Sequence, residues 1–185
     1  MSTGARVIEE KDIRLFKRVW HVVMGRIKPP LLTRILLLAA LVSFIYYFCW
    51  NAFRYFALTF IELLDNPEDI KASLQHIGDR NGISDALNSF SMFYLVMMLN
   101  QLLVLAGMIL IYRRMVAGYA MFIAGQAITF LSPLVLLNMD YFVDEIDIVD
   151  KVGPVILAVA FLFSMMRLKH IRNMERRERV IRQQL

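Results

Sequence analysis

"FSMFYLVMMLNQLLVLAGMILIYRRMVAGYAMFIAGQAITFLSPLVLLNM", residues 90–139, decides how this chain folds. Two apolar runs, about 90–112 and 115–139, flank one basic pair, Arg113-Arg114. Each run meets the roughly 20 mostly apolar residues a helix needs to cross a ~30 Å hydrocarbon core. The link between them is so short that the two helices must run antiparallel as a hairpin.

Two further runs of the same kind lie on either side. "ILLLAALVSFIYYFCWNAF" covers about 35–53, and "VGPVILAVAFLFSMMRL" covers about 152–168. The latter is short, but Arg167 and Lys169 can extend their charged ends to the interface. The 185 residues are 58% hydrophobic with a mean hydropathy of +0.54. A soluble domain is nearer 45–50% apolar, and four such runs leave too few residues to wrap them. The expected fold is all-α: an integral membrane four-helix bundle.

The net charge of +5 and the isoelectric point near 9.5 would also fit a nucleic-acid binder. The placement of the charges argues against it. Of the 21 Lys and Arg residues, all but Arg54, Lys71, Arg80 and Lys151 lie before the first run, at Arg113-Arg114, or from the end of the fourth run onward. Acidic residues concentrate in the other two connections, about 54–89 and 140–151. Positive residues stay on the cytoplasmic side, so both termini are expected inside and nucleic acid is not an expected partner. No cleavable signal peptide is expected, because the first apolar run begins after some 34 residues and no A-x-A site follows it.

Residues 1–34 then form a basic cytoplasmic segment. Ile13, Phe16, Trp20, Val23, Met24 and Ile27 recur every three or four positions with basic residues between them. That rhythm predicts an amphipathic helix lying in the headgroup layer, in contact with anionic lipid. In the first outer connection, "DNPEDIKASLQHIGDRNG" predicts a short helix capped by Asn66, opened by Pro67 and ended by Gly78. Its "DRNG" lacks the spacing of a calcium loop. From Val155 onward there is neither Gly nor Pro, so the fourth helix should continue as a charged cytoplasmic extension over 169–185. The membrane domain itself is expected over 35–168.

Within the hairpin, Asn100 and Gln101 interrupt one run and Gln126 the other. Gln101 and Gln126 are equidistant from the turn, ~19 Å at ~1.5 Å per residue, so a hydrogen bond between them at the midplane is expected. An unpaired amide in hydrocarbon costs several kcal/mol. Gly107, Gly118 and Gly125 should let the two backbones approach. Adjacent residues diverge by about 100° around a helix, so Asn100 and Gln101 cannot both face Gln126. Asn100, Gln101, Gln126, Thr129 and Ser132 are therefore candidates for a polar path as well as for helix pairing.

Asp140, Asp144, Glu145 and Asp147 are candidates for a divalent cation, since hard ions prefer clustered oxygens; a solvated anionic rim is the alternative reading. No cofactor is expected. His21, His76 and His170 lie outside the spans, which excludes a haem or zinc site in the bundle core. One cysteine, Cys49, excludes a dithiol relay. No hydrolase, zinc-protease or P-loop motif occurs, and ionisable residues are expected only at the span edges, which disfavours a proton relay.

"RRMVAGYAMFIAGQAITFLSPLVL" resembles the third-span region of small four-span bacterial inner-membrane proteins, in which a basic pair precedes G-aromatic-x-x-aromatic-x-A-G-Q. The matching residues here are Gly118, Tyr119, Phe122, Ala124, Gly125 and Gln126. The resemblance covers some 25 residues and implies a bacterial inner-membrane location but no activity. The expected function is non-catalytic: an accessory or scaffold subunit that contacts lipid and other membrane subunits or itself. The alternative is an oligomeric channel or carrier for a neutral or lipid-like substrate.

Overall fold

The computed structural model describes residues 29–184. The amphipathic segment expected over 9–28 lies outside them. Among the described residues six α-helices follow one another: α1 (Leu31–Thr59), α2 (Pro67–Arg80), α3 (Ala86–Tyr112), α4 (Val116–Leu136), α5 (Met139–Asp144) and α6 (Ile148–Gln184), with a short 3-10 turn at Ile61–Leu63. Four of them, α1, α3, α4 and the Ile148–Ile171 part of α6, are long and apolar enough to cross a bilayer.

α3 and α4 make the most extensive contact, α1 packs on α3, and α6 packs on α4 and, more lightly, on α1. The order around the bundle is therefore α1, α3, α4, α6. Within their apolar stretches 44% of α3 and 39% of α4 is buried, against 11% of α1 and 17% of α6. The hairpin is the core, and the outer two helices give most of their surface to the surroundings.

Glycines explain the tight hairpin. A Cβ on Gly118 would stand 2.5 Å from the Ile111 nitrogen, one on Gly107 2.8 Å from the Phe122 nitrogen, and one on Gly125 2.6 Å from a Val104 methyl. Only hydrogen fits in those places, so the two helices close to backbone contact. Arg114 turns the chain in the left-handed region, φ 60°, with Met115 donating back to the Leu110 carbonyl at 2.9 Å.

Two apolar clusters fill the bundle. One, at the hairpin-turn end, includes Val104, Met108, Ile111, Tyr119, Phe122 and Phe161. The other, at the α2–α5 end, includes Phe90, Phe93, Tyr94, Met97 and Leu137. The amides sit between them, Asn100 and Gln101 falling between Met97 and Val104 along α3. At the turn end a hydroxyl chain ties three helices: Thr33 meets Ser164 at 2.9 Å, and Ser164 meets Tyr119 at 3.3 Å.

Several helix limits differ from those read in the sequence. α1 runs on to Thr59, past the expected end near residue 53, because nothing from Phe53 to Thr59 breaks a helix. Arg54 is thus a helical residue and not part of a loop. α4 stops at Leu136, where Asn138 adopts φ 95° and accepts from the Met139 amide at 2.6 Å, starting α5. α6 begins at Ile148 and brings Asp150 into its first turn, then continues unbroken to Gln184.

α2 starts at Pro67 as the sequence indicates, but Asn66 is left-handed, φ 61°, and its side chain makes no capping bond. Gly78 does not end this helix. It lies two residues inside, where a Cβ would meet Ala86 at 2.6 Å, and the left-handed turn falls to Gly82, φ 71°. Asp85 caps α3 through the Asn88 amide at 3.2 Å. An Arg80–Glu145 ion pair and the Asn138 side-chain donation to the Asn81 carbonyl join the end of α2 to the α4–α5 region.

Candidate functional site

Asn100 makes side-chain hydrogen bonds across the hairpin. Its Nδ2 donates to the Gly125 carbonyl and to Thr129 Oγ1, both at 2.9 Å, while Thr129 also donates to the Gly125 carbonyl at 3.0 Å. The expected Gln101–Gln126 bond is not formed. Both glutamines are buried, yet neither makes a side-chain hydrogen bond among the described residues. Equal depth was the basis of that expectation, and rotation about the helix axis overrides it: Asn100 points at α4. Among the described residues nothing pairs with the buried Oδ1 atom of Asn100. Ser132 turns back to the Ile128 carbonyl at 2.6 Å and so stays within its own helix.

Beyond Thr129, towards α5, a cavity of about 220 Å³ opens between α1, α3, α4 and the start of α6. Its deeper wall includes Met97, Thr129 and Pro133, and its mouth includes Tyr141, Glu145 and Asp147. Pro133 has no N–H to give the carbonyl four residues earlier, so Thr129, a residue of the cavity wall, has a carbonyl without its usual helical donor.

α1 contributes the polar side. Tyr47, Asn51 and Arg54 follow at i, i+4 and i+7 and so share one helical face. Asn51 is buried and donates to the Tyr47 carbonyl at 2.6 Å. Tyr47 donates to Asp150 Oδ1 at 2.5 Å. Arg54 Nη1 donates to the Tyr94 hydroxyl at 2.6 Å, with the guanidinium 4.3 Å over the Trp50 ring and 5.4 Å from the Tyr94 ring. Trp50 is one turn before Arg54, so the arginine reaches back along α1 towards Tyr47, the usual direction of a long helical side chain.

Opposite charges thus line one cavity without meeting. Among the described residues no carboxylate lies within ion-pair distance of Arg54. Glu145 is engaged by Arg80. Tyr141, in α5 beside Arg54, has its pKa pushed up, chiefly by burial and next by neighbouring Tyr94, with Arg54 opposing.

The acidic connection does not converge on a cation. Among the described residues no three His, Cys, Asp or Glu side chains are grouped to hold a metal. Asp140 and Asp144 are exposed, and Glu145 and Asp147 lie at the cavity mouth. Charge also reaches deeper than the sequence indicates. Phe161 meets Phe122 at a tilt of 46° with ring centroids 4.2 Å apart, and Asp150 lies eleven residues back along α6, ~16 Å. That places it level with Pro133, about 10 Å along α4 from Gln126. Comparison with known proteins finds no matching family model, curated relative or solved structure.

The sequence reading missed Tyr47, Trp50, Asn51, Tyr94 and Arg54 as site residues. A signal was present: three polar side chains at helical spacing in an otherwise apolar span. Counting Arg54 as part of a loop hid it.

Proposed function

We propose that the chain is a non-catalytic multi-pass protein of the bacterial inner membrane, an accessory or scaffold subunit with both termini cytoplasmic. The hairpin turn then faces inward and α2 and α5 outward, as the lysine and arginine distribution requires. The observation that carries the assembly reading is an aromatic ridge on α1. Tyr46, Trp50, Phe53, Phe56 and Phe60 are all exposed, and Tyr46–Trp50 and Phe56–Phe60 stack at 6.5 and 6.4 Å. The ridge runs fourteen residues, ~21 Å, longer than an interfacial belt needs. Large rigid aromatics are common anchors between proteins, so the ridge suits a helix of another subunit or of a second copy.

Phe53→Leu with Phe56→Leu tests this, because leucine keeps the face apolar. Extraction in native nanodiscs followed by mass measurement should show the partner or the second copy with the wild type and its loss with the double variant. A protein that is monomeric and unaccompanied in both forms removes the reading.

The carrier reading is favoured by a different observation, the cavity that descends from the α5 end to Thr129 beside Asn100. Flux of a solute in proteoliposomes of the protein alone would establish it in place of the scaffold.

A further inference from the structure

We propose that the cavity between α1, α3, α4 and α6 binds a small zwitterion, its oxyanion at Arg54 and its primary ammonium at Asp150. The proposal concerns binding alone and stands whether the protein assembles or transports.

The charges themselves select the ligand. A lone cation would find aromatic walls and carboxylates, an arrangement that suits ammonium groups. The guanidinium of Arg54 already lies over Trp50, 4.3 Å from its centroid, and would repel it. A lone anion would find Arg54 but also Asp147 and Asp150. A molecule carrying both signs meets an opposite charge at each end.

The two protein charges are also held apart in advance. Tyr94 holds Arg54 at 2.6 Å and Tyr47 holds Asp150 at 2.5 Å. In a site of lowered dielectric, free opposite charges attract strongly, and here each is tethered to a different helix by a tyrosine hydroxyl. Tyr47 and Trp50 are three residues apart, so the carboxylate and the guanidinium differ by about one turn, ~5 Å along α1. A primary ammonium three or four bonds from the carbon or phosphorus that carries the oxyanion spans such a gap. The Thr129 carbonyl, left without a helical donor by Pro133, offers the ammonium a further acceptor. A volume of about 220 Å³ is below the usual range for drug-sized ligands and equals roughly seven waters.

This chemistry has two sources, the ethanolamine headgroup of a lipid in the adjoining leaflet and a free amino acid or phosphoamine in water. Trp50 supplies the readout, since the chain has two tryptophans and Trp20→Phe leaves it alone. The full-length Trp20→Phe protein is placed in phosphatidylglycerol nanodiscs and titrated with O-phosphoethanolamine, β-alanine, ethanolamine and inorganic phosphate. At least one of the two zwitterions should change Trp50 emission saturably, at least tenfold more tightly than ethanolamine or phosphate. Arg54→Gln and Asp150→Asn should each weaken that response tenfold or more. In phosphatidylethanolamine nanodiscs, emission already at the saturated value marks the lipid as the source, and a retained response marks a soluble ligand.

Ethanolamine or phosphate binding as tightly as the zwitterions overturns the proposal. So does the lack of any response to the zwitterions combined with identical emission in the two lipids. Both comparisons use the protein with its cavity residues intact, so a variant that fails to fold does not shelter the idea.

Discussion

Tyr47, midway along α1, donates a 2.5 Å hydrogen bond to Asp150 in the first turn of α6, 103 residues later in the chain. The bond joins the first and last membrane-length helices, which otherwise touch only lightly. At the other end of the bundle Thr33 and Ser164 join the same two helices at 2.9 Å. Both separations, Thr33 to Tyr47 and Asp150 to Ser164, are fourteen residues, so the two contacts define a single antiparallel register.

Tyr47→Phe should therefore destabilise the protein by about 1.5–3 kcal/mol, the range for a hydrogen bond to a charged partner. Asp150→Asn should cost less in the Tyr47→Phe background than alone. Unfolding in mild detergent measures both, and strict additivity would mean that the contact carries no energy.

Gly118→Ala should cost about 1–3 kcal/mol, because its new methyl would press on the Ile111 backbone and overpacking is not relieved by backbone atoms. Gly153→Ala is the matched control. Nothing lies within 4 Å of a Cβ there, and alanine gains roughly 0.5–1 kcal/mol over glycine inside a helix. The two substitutions should shift the unfolding midpoint in opposite directions.

The Asn100–Thr129 pair should be coupled, with Asn100→Ala costing about 0.6–2 kcal/mol as membrane hydrogen bonds do. Gln101→Ala and Gln126→Ala should add without coupling, since no bond joins them. Double-mutant cycles on both pairs check this. Coupling confined to the two glutamines would contradict the observed geometry.

Stability should fall at high pH. Burial raises the pKa of Tyr141 in the folded state, so above the ordinary tyrosine value near 10 the unfolded chain ionises first and is favoured. The stabilisation is complete below that pH and is lost as pH rises through the folded pKa. Lys71 moves the same way, its pKa raised by Glu62 and then Glu68. Tyr141→Phe should flatten the decline between pH 9 and 11 when unfolding midpoints are compared.

Much of the architecture is readable residue by residue. The hairpin follows from the shortness of "RRM", and the long last helix follows from the absence of Gly and Pro after Pro154. The first helix is read too short because hydropathy falls at Arg54, although helix geometry does not end there. The amide contact is read onto the wrong residue because distance from the turn gives depth but not rotation. Asp150 and Pro154 are readable as the entry to the last helix, but the contact of Asp150 with Tyr47 is not, because Tyr47 belongs to a helix more than a hundred residues away.

The four membrane-length helices are determined by the sequence alone, because apolar length is a property of each segment whatever its neighbours do. The tertiary structure decides which faces meet. The glycine contacts between α3 and α4 set the rotation that turns Asn100, and not Gln101, towards α4. The register of α1 against α6 brings Asp150 into hydrogen-bond contact with Tyr47, which shares a helical face with Arg54. Rotation and register depend on close packing between distant segments, and no single stretch of the chain contains that information.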